Sequence, residues 1–153
     1  MISKINYDLI FEPFFSNFAF NGTEIISFTL SKPIKTLKLN SAELKINKCY
    51  IVKNGKTIHT KYNIDEKKEE LNITPEKIIN GKVKLCIEFT GTLNDRLLGF
   101  YRSQYKDKSG KRKYLATTQF EAADARRAFP CWDEPAVKAT FDVSLIIDKT
   151  LSA

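Results

Sequence analysis

This sequence of 153 residues predicts an all-β fold, and three observations lead to that prediction. Several segments alternate apolar and polar residues with the period of two typical of strands, most clearly from Val83 to Phe89. Asn-Gly pairs, which favour tight turns, occur at positions 21, 54 and 80. Almost no segment shows the 3.6-residue periodicity of an amphipathic helix. Together these features indicate a twisted antiparallel sandwich built from more than one sheet.

Each expected strand is bounded by residues that end strands. Pro13, Pro33 and Pro75 cannot donate to a sheet ladder, and the Asn-Gly pairs predict turns between antiparallel neighbours. The charged run from Asp65 to Glu70 is expected to be a loop. The strands expected on this basis are, in chain order, 7–11, 23–30, 36–40, 44–53, 56–64, 71–73, 82–90, 114–120 and 137–148.

Alternation also assigns an inner face to several strands. We expect Phe89 and Phe141 in particular to be buried, each on the apolar face of its strand. The other residues expected to face inward are Ile26, Phe28, Leu30, Leu37, Leu39, Val83, Leu85, Ile87, Val143, Leu145 and Ile147.

Composition limits the possible partners. Apolar residues make up 42% and charged residues 28%, and the net charge of +7 is spread along the strands as single lysines. No nucleic-acid-binding motif is present, so a nucleic-acid partner is not expected. No apolar run approaches the roughly 20 residues of a membrane-spanning helix, so no membrane partner is expected either. His59 is the only histidine and has no other ligand-type residue near it in the sequence.

The cysteine count points to a compartment. Cys49, Cys86 and Cys131 are odd in number and lack metal-ligand spacing, which is typical of free thiols in a reducing environment. No secretion signal precedes the first strand. We therefore expect a cytoplasmic protein.

The most informative stretch begins with the strand expected over 114–120 and continues into a dense run of charged and aromatic residues. If that strand extends through Glu121, alternation places Thr117, Gln119 and Glu121 on one face. A carboxylate beside an amide suits a ligand with a cationic head, because the carboxylate binds the charge and the amide orients the rest. The rival interpretation is an ion pair between Glu121 and Arg126 or Arg127 that fixes the turn. The spacing of the residues leaves both open.

The run TTQFEAADARRAFPCWDEPAVKATFDVSL, residues 117–145, resembles the N-terminal domain of gluzincin-type zinc aminopeptidases. That family includes aminopeptidase N and the puromycin-sensitive and tricorn-interacting aminopeptidases. LGFYRSQY at 98–105 resembles the same family, and weaker likeness covers YDLIFEP and FNGTEIISF near the start. The resemblance implies a saddle-shaped, multi-sheet domain, and we expect the sequence to stop before that domain is complete.

The resemblance also implies roles for two residues. In that family the carboxylate of the TQ-x-E segment helps to bind the free α-amino group of the substrate, and that position here is Glu121. The glutamine two residues earlier lines the pocket for the first side chain, and that position here is Gln119. The implied partners are the N-terminus of a peptide substrate and a catalytic domain in cis.

The catalytic motifs of the family, H-E-x-x-H and G-x-M-E-N, do not occur in this sequence. Residues 1–153 are therefore expected to be the N-terminal β domain of a larger aminopeptidase, inactive alone, with zinc held in the full-length enzyme and no cofactor here. The alternative is a stand-alone β-sandwich binding module without catalysis. A third and weaker alternative is a hydrolase that uses Glu121 and Asp124 as an acid/base pair.

Overall fold

A computed structural model describes residues 2–153 and is built almost entirely from β-strands, which confirms the all-β prediction. The single helical segment in this range is a 3₁₀ turn, Ala125–Arg127. No helix in the described range is long and apolar enough to cross a membrane. The strands are β1 Ile2–Phe14, β2 Ala19–Ile34, β3 Leu37–Asn40, β4 Lys45–Lys53, β5 Lys56–Asp65, β6 Glu70–Pro75, β7 Ile79–Thr92, β8 Gly99–Lys106, β9 Arg112–Gln119 and β10 Ala139–Leu145.

Eight strands form one sheet in the order β10-β1-β2-β7-β4-β5-β6-β3, and β8 and β9 form a separate hairpin. Neighbouring strands are antiparallel throughout, with one exception, since β10 runs parallel to β1. The expected hairpin between the first two strands is present but longer than predicted.

The large sheet folds back on itself at β5. The first part of β5 pairs with β4 only as far as His59, and from Thr60 onward β5 pairs with β6. Side chains of β5 bond to β4 carbonyls where the two strands separate: Thr60 donates to the carbonyl of Cys49 (2.7 Å) and Tyr62 to that of Ile46 (3.1 Å). The last two strands of the sheet, β6 and the edge strand β3, thereby share one apolar core with β1, β2 and β7.

The predicted inner faces of β2, β3 and β7 are confirmed. Ile26, Phe28 and Leu30 are buried, and so are Leu37, Leu39 and every apolar residue assigned inward on β7. Phe89 is 1% exposed and contacts Phe11 and Phe20 edge-on, with ring centroids 6.4 and 6.5 Å apart.

Two of the three predicted Asn-Gly turns are wrong. Asn54-Gly55 does join β4 to β5, with both residues at positive φ. Asn21-Gly22, however, lies inside β2, where the Phe89 ring covers Gly22 so closely that an added Cβ would lie 2.2 Å from it. Asn80-Gly81 lies inside β7 beside a register shift between β7 and β2. The glycine at 22 is thus required by packing rather than by a turn.

The predicted burial of β10 is also wrong. Phe141 is 54% exposed, Val143 61% and Leu145 46%. The alternation of β10 is real, but it marks a buried face only where another layer covers that face, and here the cover is partial: the Phe129 ring lies edge-on to Phe141 at 6.3 Å. Phe141 is held instead by the Tyr7 ring, which stacks on it at 5.0 Å and 7°.

One carboxyl group lies in the apolar core. Glu24 on β2 is fully buried between its strand partners Leu9 and Ile87, and neither oxygen has a hydrogen-bond partner among residues 2–153. Burial raises the pKa of this carboxyl well above its usual value. Tyr7, Cys49 and Cys131 are near enough to interact with it electrostatically. Because a buried unpaired charge costs several kcal/mol or more, Glu24 is held in its neutral form.

Phe89→Ala should destabilise the domain by roughly 3–5 kcal/mol, because it removes a buried ring from a site that its neighbours cannot refill. Phe141→Ala should cost about 1 kcal/mol, since half of that ring is already exposed and stacking on Tyr7 contributes little more. Denaturant melts of the two variants give both values. Equal losses would show that β10 is covered in solution.

Glu24→Gln should stabilise the domain at neutral pH and remove one component of its pH dependence. Below the carboxyl pKa of the unfolded chain both states carry the proton. At higher pH the unfolded chain releases it while the folded one keeps it, so stability falls with rising pH until the raised folded pKa is passed. The wild-type loss should approach about 1.4 kcal/mol per pH unit within that window.

The free energy of unfolding of both proteins, measured from pH 4 to pH 8, checks this expectation. The two curves should approach each other near pH 4 and separate as pH rises, with the variant the more stable. Parallel curves would mean that Glu24 does not keep its proton in the folded state.

Candidate functional site

The candidate site begins where the β8–β9 hairpin ends. Gln119 is the last residue of β9 and pairs with Gly99 at the start of β8. Phe120 and Glu121 lie beyond the strand, and residues 121–124 form a turn that the Asp124 N–H closes by donating to the Phe120 carbonyl (2.9 Å). The prediction that Gln119 and Glu121 share a strand face required the strand to extend through Glu121. Because β9 ends at Gln119, they do not share one. Gln119 and Glu121 instead lie two residues apart, both exposed, at the junction of strand and turn.

We call residues 120–134 the site loop. Aromatic contacts attach it to the core: the Phe129 ring lies edge-on to Phe120 (5.9 Å between centroids), Tyr7 (5.7 Å) and Phe11 (6.3 Å). Backbone bonds add to this, since Cys131 and Asn40 exchange N–H···O bonds of 2.7 and 3.0 Å. The Trp132 N–H donates to the Tyr7 hydroxyl at 3.1 Å. The loop is thus a fixed part of the domain.

The two arginines of the site loop are fully engaged, but not with Glu121. Arg126 donates to Asp133 (2.9 Å) and Glu69 (3.1 Å). Arg127 donates to Asp124 (2.9 Å), to the other oxygen of Glu69 (2.9 Å) and to Glu43. We call these two arginines and their partners Glu43, Glu69, Asp124 and Asp133 the arginine cluster. The rival interpretation, an ion pair between Glu121 and Arg126 or Arg127, is not what the structure contains.

The two guanidinium groups of the arginine cluster are largely shielded from solvent, whereas the side chain of Glu43 is 48% exposed. The side chains of Arg126 and Arg127 are 15% and 18% exposed. Burial lowers the pKa of each guanidinium, but the surrounding carboxylates more than offset this, and the pKa of both is raised. Both arginines therefore remain charged, and their positive charge is matched locally.

Glu121 is exposed and forms no side-chain hydrogen bond or ion pair with any of residues 2–153. The same holds for the side chain of Gln119. A solvated carboxylate and an amide at the end of the β8–β9 hairpin are available to a ligand with a positive charge and a hydrogen-bonding group.

Sequence reasoning missed Glu43 and Glu69, which lie in other loops and resemble any surface glutamate in the sequence. Both have positive φ, 59° and 53°, a conformation uncommon outside glycine that no local pattern revealed. His59, the lone histidine, is exposed on β5 opposite Tyr50.

The described residues contain no group of three or more histidine, cysteine, aspartate or glutamate side chains placed to hold a metal ion. Cys49, Cys86 and Cys131 are buried and unbridged, and burial raises the pKa of the Cys49 thiol to about 11, far from the thiolate form that binds metals. The described residues thus provide no ligand set for a zinc ion.

Comparison with known proteins agrees with this architecture. Residues 3–153 match the peptidase M1 N-terminal domain. The chain is 43% identical over 152 residues to aminopeptidase 2 of Candida albicans, and 41% identical over 153 residues to the puromycin-sensitive aminopeptidase of Caenorhabditis elegans. It is 39% identical over 151 residues to aminopeptidase M1-B of Oryza sativa subsp. japonica.

These alignments include 98%, 97% and 99% of this chain but only 16%, 16% and 17% of the three relatives. The chain therefore belongs to the peptidase M1 N-terminal domain family, and it spans a small fraction of the length of the relatives it matches. The resemblance found in residues 117–145 is confirmed at the level of the family.

Proposed function

We propose that this chain is the substrate-anchoring domain of an aminopeptidase that removes N-terminal residues from peptides. Glu121 binds the α-ammonium group of the substrate, and Gln119 lines the pocket for its first side chain. The rest of the enzyme, including the catalytic domain and its zinc, is contributed in cis by sequence outside these residues. The proposed setting is the cytoplasm, with neither nucleic acid nor membrane as a partner.

The observation that carries the proposal is the unpaired state of Glu121. Two arginines lie five and six residues away in the same loop, yet their hydrogen bonds go to four other carboxylates. A charge that is left unpaired beside potential partners, on a rigid support, is available to a cationic ligand. The names of the relatives supply the class of ligand, since an aminopeptidase acts at a peptide N-terminus.

Pairing with an ammonium group would also give selectivity. A charged hydrogen bond contributes about 1.5–3 kcal/mol net, and more where water is excluded. An internal peptide bond offers no positive charge, so binding it would leave the carboxylate desolvated and unpaired. Free N-termini would thus be favoured over chain interiors.

The alternative functions have less support. A hydrolase based on Glu121 and Asp124 needs Asp124 to be free, whereas Arg127 donates to it at 2.9 Å. A stand-alone binding module would need no further sequence. The relatives, by contrast, are aminopeptidases of which this chain matches only a small part.

In the full-length enzyme, Glu121→Gln should lower kcat/KM by roughly ten- to several-hundred-fold, the equivalent of one charged hydrogen bond in a site with little water. The melting temperature should change little, because Glu121 supports no contact in the domain. Kinetics with an aminoacyl substrate and a thermal melt of the same protein provide both readouts.

Glu76→Gln, which removes an exposed and unpaired carboxylate elsewhere on the surface, is the control and should leave both readouts unchanged. A clear loss of stability in Glu121→Gln with normal kcat/KM per folded molecule would contradict the anchoring role.

The 153-residue chain alone should bind no stoichiometric zinc and release no amino acid from aminoacyl substrates, because residues 2–153 contain no ligand set for a metal ion. Metal analysis after dialysis against zinc, together with a turnover assay, checks this. One tightly held zinc per chain would refute it.

A further inference from the structure

The arginine cluster connects parts of the chain that are far apart in sequence. Arg127 contacts Glu43, 84 residues away, and Glu69, 58 residues away. Glu43 also pairs with Arg96, in the loop before β8. The loops before β4, β6 and β8 therefore all converge on the site loop.

Backbone bonds at the same place hold these loops in register. The Ser41 N–H donates to the Glu69 carbonyl at 2.8 Å, and the Ala42 N–H donates to the Arg126 carbonyl at 2.9 Å. Glu43 and Glu69 both have left-handed backbone conformations, which cost energy in a residue with a side chain. Their carboxylates reach the guanidinium groups from these conformations, so the ion pairs and the unusual backbone occur together.

A short chain of contacts leads from the arginine cluster to Glu121. The Arg127 Nε–H donates to Asp124 Oδ1 at 2.9 Å, and the Asp124 N–H donates to the Phe120 carbonyl at 2.9 Å. The second bond closes the turn that contains Glu121. Arg127 thus fixes the residue that closes this turn.

A second contact leads from the arginine cluster to Gln119. Gly99, the strand partner of Gln119, packs directly on Arg127: an added Cβ would lie 2.6 Å from Arg127 Cβ and 3.2 Å from the Asp124 carbonyl oxygen. Gly99 also has φ of 66°, a conformation that favours glycine. The strand end carrying Gln119 and the turn carrying Glu121 are therefore packed against the same arginine.

We propose that Arg127 is a positioning residue that sets the placement of Glu121 relative to Gln119, with Glu69 and Glu43 holding its guanidinium in place. This inference rests on the proposed function, because it concerns how the ammonium-binding carboxylate is oriented. Arginine suits the role because its planar fork serves three carboxylates at once, whereas a lysine ammonium is a point charge on a flexible stem.

The experiment measures competitive inhibition of the full-length enzyme by two probes, leucine amide and 4-methylpentanamide, which is the same molecule without the α-ammonium group. The ratio of the two inhibition constants reports the ammonium contact alone. General damage to the enzyme would weaken both probes together and leave the ratio unchanged.

Arg127→Lys and Glu69→Gln should each reduce the preference for leucine amide by roughly 10- to 100-fold, the effect expected when a binding group is misplaced by about 1 Å. Glu70→Gln is the matched control, since it removes a carboxylate one residue away that pairs instead with Lys38. It should leave the ratio unchanged.

Gly99→Ala tests the same inference without altering any charge, and should reduce the preference by displacing Arg127. Gly110→Ala is its control: Gly110 also has positive φ, 81°, but an added Cβ there meets no atom within 4 Å. Comparing the two glycine variants separates the contact with Arg127 from backbone strain. If Arg127→Lys fails to fold, Glu69→Gln and Gly99→Ala decide the matter.

The outcomes are distinguishable. A lowered preference in Glu121→Gln, Arg127→Lys and Gly99→Ala, but not in the two controls, supports the positioning role. A lowered preference in Glu121→Gln alone overturns the positioning role and leaves the proposed function standing. No change in Glu121→Gln overturns the proposed function, and the positioning role with it. Equal weakening of both probes in Arg127→Lys shows a structural role only and also overturns the inference.

Discussion

The shared use of Glu69 by Arg126 and Arg127 is the interaction on which the local structure most depends. The two oxygens of the Glu69 carboxylate have different donors: Oε2 accepts from Arg126 and Oε1 accepts from Arg127. The two guanidinium groups are therefore held side by side. Ion pairs at fully exposed positions contribute little, whereas pairs shielded from water are strong only when every charge has a partner. In the arginine cluster each guanidinium donates to at least two carboxylates, which meets that condition. The site loop, which contains one 3₁₀ turn and no strand, therefore has a fixed conformation.

Alternation predicted the sheet well where two layers of residues meet and failed where they do not. Phe89 and Phe141 occur in equally regular apolar and polar patterns, yet only Phe89 has strands on both sides and a covering layer. The pattern records which side chains share a face. Whether that face is buried depends on the neighbouring strands, and these are set by topology rather than by the local sequence.

The Asn-Gly pairs illustrate the same limit. The pair at 54 forms a turn, with Gly55 at positive φ and open space where a Cβ would be added. The pair at 21 lies in a strand because the Phe89 ring occupies the volume that a side chain would need. The Asn-Gly dipeptide alone indicates only a preference for a turn. At position 22 the glycine is needed because it lacks a side chain, and the residue that imposes this, Phe89, lies 67 positions later.

At the candidate site, the sequence predicted two ligand residues, Gln119 and Glu121, but not the local structure around them. The one acidic partner considered for the arginines, Glu121, is not among the carboxylates that they contact. The strand argument for a shared face failed because β9 ends at Gln119, and the arginine partners Glu43 and Glu69 lie too far along the chain for any local pattern to reveal.

The distribution of charge in the site loop gives a physical reason for leaving Glu121 unpaired. Water solvates an exposed carboxylate well, so an unpaired Glu121 costs the isolated domain almost nothing. Were it paired with Arg126 or Arg127, a ligand would have to break that pair before binding, and the affinity gained from the new contact would largely cancel. By engaging both arginines elsewhere, the arginine cluster holds the site loop in place and, under the proposed function, leaves the full attraction of Glu121 for an incoming ammonium group. Stability and recognition therefore use different carboxylates, and each can be strong without weakening the other.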